Sequence, residues 1–327
     1  MPTIFLLALI TLLNSALPEP AEAQQPAKIP RIGYLTQASL LAVTPRTEAF
    51  RLGLKELGYV EGKNIVIEFR SPEGKLDRLP ALAAELVRLK VDIIVTAGSG
   101  ATRPAKAATS KIPIVMAQDD DPVANGFVAS LARPGGNITG LSTLSPELSG
   151  KRLELLKEII PKLSRVAVMG ALTSPGNAQV SRELEVAATA LGVKLQYLDV
   201  ASSQDIETAF RAAVKRRADA VLMLQNPVHF PHRKQIAVLA MSSRLPVIYG
   251  RPEYAESGGL VTYGVSFTDL DRRAAVYVDK ILKGAKPADL PVEQPTKFEF
   301  IINLKAAKQI GLTIPPNVLV RANKVIK

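Results

Sequence analysis

Leu86-Val87-Arg88-Leu89-Lys90-Val91-Asp92-Ile93-Ile94-Val95 and, far along the chain, Ala213-Val214-Lys215-Arg216-Arg217-Ala218-Asp219-Ala220-Val221-Leu222 carry one pattern twice. Each reads as a basic helix end, an Asp, then an apolar strand. The echo continues outward. Ser110-Lys111-Ile112-Pro113-Ile114-Val115 is answered by Ser243-Arg244-Leu245-Pro246-Val247-Ile248, and Leu57-Gly58-Tyr59 by Leu191-Gly192-Val193. Gly135-Gly136-Asn137-Ile138-Thr139-Gly140 has its counterpart in Gly258-Gly259-Leu260-Val261-Thr262-Tyr263-Gly264. Two copies of one α/β unit make two similar lobes, and two lobes enclose a cleft, where ligands bind.

Periodicity fills in the units. Strands are expected near residues 31–35, 64–70, 92–97, 112–117 and 138–141, with helices over 46–57, 76–89, 101–109 and 122–131. The second half restarts at 165–170 and continues with strands near 194–200, 220–225, 247–250 and 260–265, and helices over 178–191, 204–216 and 232–243. Apolar runs rich in Ile and Val, alternating with amphipathic helices, specify parallel doubly wound sheets with right-handed crossovers. The fold class is therefore α/β, two similar doubly wound lobes joined by a multi-strand hinge. A helix at 269–283, a connector at 287–295, a strand at 297–303 and a short helix to 310 are too little for a third domain. They are expected to complete the lobes in turn, giving residues 31–141 plus 266–290 to the first and 142–265 plus 291–327 to the second. Expected hinge segments are 141–144, 249–251 and 291–296.

At 327 residues the chain exceeds one compact core. Residues 4–13 are apolar apart from Thr11, and Ala21-Glu22-Ala23 forms a small-residue cleavage pattern. A core that short suits a secretory signal over residues 1–23 and is too short to span a bilayer. An exported, soluble, periplasmic mature chain is expected. Cys is absent, which removes a lipid-anchored Cys, a thiol nucleophile and any thiolate metal site. Cleavage would remove Glu19 and Glu22 and no basic residue, raising the formal charge from +11 to +13. Such basicity raises nucleic acid as a partner. Against it, Trp is absent, and the densest runs, Lys215-Arg216-Arg217 and Arg272-Arg273, fall on helices as solvated faces. No nucleic-acid partner is expected.

In parallel sheets, ligands bind beyond the carboxyl ends of the strands, where helix N-termini present free N–H groups. That rule nominates Thr36 and Gln37 after the first strand, Gly98, Ser99 and Thr102 after the third, and Asp119 and Asp121 after the fourth. In the second lobe it nominates Ser174, Asn226, Tyr249 and Arg251. Gly98-Ser99-Gly100-Ala101-Thr102 suits a carboxylate or phosphate. It is no dinucleotide fingerprint, because Arg103 stands where the third Gly belongs, and no nucleophile elbow, because Ala97 replaces its first Gly. Asp121-Pro122 reads as an N-cap with Pro at the first helical position. Asp119 or Asp120 could meet a ligand ammonium or a cleft-lining Arg such as Arg251. His229 and His232, the only histidines, form neither a zinc motif nor a recognisable triad. No catalytic residue, metal or cofactor is expected.

Gly58-Tyr59-Val60-Glu61-Gly62-Lys63-Asn64-Ile65, Leu79-Pro80-Ala81-Leu82-Ala83, Asp121-Pro122-Val123 and Leu131-Ala132-Arg133-Pro134-Gly135-Gly136-Asn137-Ile138-Thr139-Gly140 closely resemble one family. So do Gly150-Lys151-Arg152-Leu153-Glu154-Leu155-Leu156 and Pro291-Val292-Glu293-Gln294-Pro295-Thr296-Lys297-Phe298. The family is the ABC transporter substrate-binding proteins that include tryptophan- and other amino-acid-binding members, on the type I periplasmic-binding-protein fold. The resemblance implies capture of a small solute, an amino acid or related carboxylate, between two closing lobes by a monomer. It also implies delivery to a membrane permease, with no chemistry performed. It implies that the loops around Ser99, Asp121 and the second-lobe strand ends face the ligand. The chain departs from that pattern at Ala171-Leu172-Thr173 and in the doubled acids Asp119-Asp120. Alternative readings are an exported sensory module handing its ligand to a receptor, and an exported α/β enzyme.

Overall fold

Asp92 and Asp219, the acids of the repeated segment, perform one task in both halves. The Asp92 carboxylate accepts from the Arg31 N–H at 2.8 Å, and Asp219 accepts from the Ser164 and Arg165 N–H groups at 2.9 and 2.8 Å. Each thus fixes the start of its lobe's first strand. The residue two before each, Lys90 or Arg217, ends its helix in the left-handed region. The prolines repeat too: Pro113 and Pro246 give their carbonyls to Ile94 and Val221 at 2.9 and 2.8 Å. The protein is described by a computed structural model covering residues 28–143, 147–172, 177–224 and 229–327. The expected signal segment lies outside the described residues.

The first half contains β1 (Arg31–Thr36), α1 (Thr44–Glu56), β2 (Val66–Arg70), α2 (Leu79–Arg88), β3 (Ile93–Ala97), α3 (Ser99–Ala108), β4 (Ile114–Asp119) and β5 (Ile138–Ser142). The second runs through α4 (Glu147–Ile159), β6 (Arg165–Gly170), α5 (Asn177–Leu191), β7 (Lys194–Asp199), α6 (Asp205–Lys215) and β8 (Ala220–Met223). It continues with α7 (Arg233–Ser242), β9 (Val247–Tyr249), α8 (Glu253–Glu256) and β10 (Val261–Val265). The tail adds α9 (Phe267–Leu282), β11 (Phe298–Asn303), α10 (Leu304–Gln309), α11 (Pro316–Leu319) and β12 (Lys324–Ile326).

The first sheet has the order β2-β1-β3-β4-β5, all parallel. In the second, β7-β6-β8-β9-β10 repeats that order, and β11 then pairs antiparallel with β10 before β12 closes the edge. Strands buried on both faces explain the unbroken apolar runs. In the first lobe, Phe50 and Leu54 of α1 meet Leu270 and Ala274 of α9 on one face, while Leu82, Leu86, Ala101 and Ala105 cover the other.

The chain leaves the first sheet after β5, returns through Val265–Phe267 and leaves again after Glu293, whose N–H donates to the Gly140 carbonyl at 3.0 Å. Residues 249–251, expected as a hinge, are not a crossing. They join β9 to α8 within the second lobe, and β9 and β10 are parallel neighbours. The helix expected over residues 122–131 is also absent. One turn forms after Asp121, then the Phe127 N–H reaches the Pro122 carbonyl and the Gly126 N–H the Val123 carbonyl, both at 2.9 Å. That is a helix-ending Schellman motif, with Gly126 at φ 68° in the left-handed position. It turns Phe127 and Val128 into the core. Among the described residues no helix is long and apolar enough to cross a membrane.

Candidate ligand-binding site

In this strand order the crevice opens beyond the adjacent ends of β1 and β3, which are followed by helices on opposite faces of the sheet. Gln37, just past β1, lies across the turn after β3. A Cβ on Gly98 would stand 2.6 Å from its Nε2, and one on Gly100 2.2 Å from its Oε1. Gly98, at φ 96°, lets the chain bend there and leaves Ser99 at the opening. Two nominated residues are spent on structure. The Thr36 hydroxyl accepts from the Ala38 N–H at 3.1 Å. Thr102 is fully buried, its hydroxyl 2.9 Å from that of Thr96.

Beside Ser99 the end of β4 is irregular, its register against β5 shifting between Met116 and Asp119. The Asp119 carboxylate is buried, with Oδ1 taking the Asp121 N–H at 3.2 Å and the Asn125 amide at 3.1 Å. Burial, then the neighbouring Asp120, push its carboxyl up to about 7. The Ser99 hydroxyl donates to Asp120, and the Asn125 amide lies 3.4 Å from both. Asp121 caps its turn, accepting from the Ala124 N–H at 3.0 Å.

The second lobe contributes Arg251. Its guanidinium lies 4.3 Å from the Phe230 ring centroid and 4.6 Å from that of Phe267, a cation–π sandwich. Burial and the nearby Arg46 lower its pKa to about 9, while Asp120 across the cleft pulls the other way. Tyr249 is fully buried and stacks on Tyr254 at 4.5 Å, so it belongs to the core of the second lobe. Ser174 and Asn226 lie outside the described residues.

One ion pair joins the two lobes among the described residues. Arg46 of α1 bonds Glu253 of α8, which Arg251 also approaches at 3.5 Å. Arg46 sits 4.4 Å over the Phe267 ring and donates to Gln118 Oε1 at 3.4 Å. Gln118 Nε2 donates in turn to Asp271 at 3.2 Å, whose other oxygen takes the Tyr34 hydroxyl at 2.5 Å. Sequence reasoning missed Arg46, Glu253, Phe230, Phe267 and Asp271. Two of them carried a signal: Arg46 and Asp271 stand on the apolar stripes of α1 and α9, where a charge requires a partner.

Paired Rossmann-like lobes, with opposite charges on facing strand-end loops and short crossings between them, define a bilobal solute-binding protein. A family model described as ABC transporter substrate binding protein matches residues 40–326, and the chain belongs to that family. The resemblance read from the sequence is borne out, as is the type I periplasmic-binding-protein fold. A tyrosine-binding protein of Clostridioides difficile is 27% identical over 267 residues, spanning 81% of this chain and 76% of that one. Among solved structures, a conserved domain protein from Vibrio cholerae is 30% identical with TM-score 0.79, covering 91% of this chain and 100% of its own. An ABC domain from Streptococcus pneumoniae in complex with L-Trp is 27% identical with TM-score 0.79, covering 91% and 99%.

Proposed function

We propose that this substrate-binding protein is exported to the periplasm, closes as a monomer on an amino acid or related carboxylate, and hands it to an ABC permease. The carrying observation is Arg251, set over the Phe230 and Phe267 rings at the second-lobe strand ends and within charge range of Asp120 on the first lobe. A zwitterion finds both complements there, and the half-buried Phe230 offers apolar surface to its side chain. Arg251 Nε and Glu253 Oε2 are buried without hydrogen-bond partners, so the second-lobe wall has polar capacity to give. Relatives that bind tyrosine and L-Trp support the same ligand class.

The reading includes no turnover. The Ser99 hydroxyl is given to Asp120 rather than to a histidine. His229 is buried against the Leu224 carbonyl at 3.4 Å, and burial holds its imidazole down to about 4. Thermal-shift measurements with the proteinogenic amino acids and small carboxylates test the proposal, alongside mass spectrometry of solute carried through native purification. Stabilisation by at least one amino acid is expected. A flat response to all of them, with a non-amino-acid solute released on denaturation, refutes it.

A further inference from the structure

We propose that Asp119 and Asp120 form a subsite for the ammonium group of the solute, so that its cation docks on the first lobe and its anion faces Arg251. The inference rests on the amino-acid reading above and deepens it.

The argument is a count of donors. Two carboxylates converge beside Ser99, and the protein offers them one hydroxyl, one side-chain amide and the Asp121 N–H. The Ser99 hydroxyl has one proton to give and lies within reach of both carboxylates, so it cannot satisfy the two together. Asp119 Oδ2 is buried and receives nothing, although the residue is 1% exposed. A buried carboxylate oxygen without a donor is a costly arrangement unless a ligand completes it.

The neighbouring cations are committed elsewhere. Arg103 of α3 turns to the Asn125 side-chain oxygen at 3.4 Å and lies over Phe127. Lys106 donates to the Gly126 carbonyl. Arg251 reaches the loop only through its charge, acting on Asp120. Asp121, the third acid, is occupied as a cap. What fits the remaining oxygens is a compact cation with several N–H groups. A primary ammonium has three, one for each carboxylate and one to spare.

A second consequence follows from the burial that lifts the Asp119 carboxyl to about 7. Near neutrality a share of the molecules carries a proton there. When the ammonium docks, that O–H bond breaks, the proton leaves to buffer, and the cation takes its place beside the carboxylate. Capture at about pH 7 therefore releases up to about half a proton, and none well above that pH.

Titration calorimetry on the mature chain tests this with L-tyrosine, tyramine (ammonium only) and 3-(4-hydroxyphenyl)propionate (carboxylate only), in phosphate and in Tris. L-Tyrosine and tyramine should bind about tenfold or more tightly than the propionate. Asp119→Asn should erase that preference and the buffer-dependent heat while keeping the fold by circular dichroism, and Asp120→Asn should weaken the preference. L-Tyrosine binding undiminished in both variants, or no tighter than the propionate, overturns the subsite and leaves amino-acid capture standing. Tyramine bound while L-tyrosine, L-tryptophan and L-leucine are ignored supports the subsite and overturns the amino-acid reading. Silence of every amine overturns both.

Discussion

Replacing Arg46 with Gln withdraws the guanidinium that Glu253 meets across the cleft, and the structure sets the scale of the loss. The two side chains are 10% and 18% exposed, so neither charge is well solvated while the lobes are together. Breaking a buried pair by removing one partner costs about 3–5 kcal/mol. Here Arg251 stays 3.5 Å from Glu253 and softens the loss, and both charges regain water once the lobes part. About 2 kcal/mol against the closed form is the resulting expectation, or about 30-fold in the ratio of closed to open molecules. A solute that binds only closed molecules is weakened by up to the same factor. Small-angle scattering reads the closed fraction, and calorimetry with the solute that stabilises the protein reads the affinity. A double-mutant cycle with Glu253→Gln isolates the pair. The control is Arg211→Gln, whose i,i+4 partner Glu207 and itself are 58% and 68% exposed, and which should shift nothing by more than about 0.5 kcal/mol. Arg46→Gln and Glu253→Gln variants indistinguishable from that control would refute the reasoning.

Burial pushes the Asp271 carboxyl up to about 7, so its contribution to stability is complete below the ordinary aspartate value and is lost as pH rises through about 7. Asp271→Asn should therefore lose less thermal midpoint than the parent between about pH 5 and about pH 8. His229 has the opposite sign: burial lowers it to about 4, so stability present above its ordinary value of 6.5 is lost as pH falls through about 4. His229→Gln should flatten that acid limb, and an unchanged acid limb counts against a buried neutral imidazole. Gly264→Ala should destabilise by about 3 kcal/mol in urea titration, an overpacking with no soft neighbour. A Cβ there would stand 1.9 Å from the Gly250 carbonyl oxygen, backbone against backbone.

The fold was legible because the repeat marks positions where local chemistry leaves no choice. Asp92 and Asp219 bind the backbone of the strand beside them, Pro113 and Pro246 precede equivalent strands, and unbroken Ile and Val runs have no solvated face. Where reading failed, a local competitor won. Residues 122–131 have helical apolar spacing, but Asn125-Gly126 closes the helix after one turn. The antiparallel addition of β11 left no local trace, since its partner choice is decided by what edge remains free. The candidate site was legible as loops and less so as contacts. Ser99 and Asp119 follow from the strand-end rule, whereas Thr36 and Thr102 satisfy the same rule and turn inward to cap and brace. Glu253 and Phe230 lie on short connections with no periodicity, and the Arg46–Glu253 pair spans 207 residues of sequence. No window of residues contains such a contact.

Gln118 and Asp119 show how closure and capture come to share one strand end. Successive strand residues point to opposite faces. Gln118 therefore reaches α1 and α9, holding Arg46 and Asp271, while Asp119 sits beside Ser99 and Asn125 at the opening. Arg46 in turn holds Glu253, next but one to the Arg251 proposed to meet the solute's anion. On the proposed reading, a change in lobe spacing that breaks Arg46 from Glu253 acts on the strand end presenting Asp119 through the Arg46–Gln118 contact. Conversely, an ammonium seated on Asp119 steadies Gln118 and the arginine it supports. The coupling is reciprocal by thermodynamic necessity: whatever the pair adds to closure it adds to affinity. On the proposed reading, a pair that favours closure leaves the solute to supply only the remaining difference between the two forms.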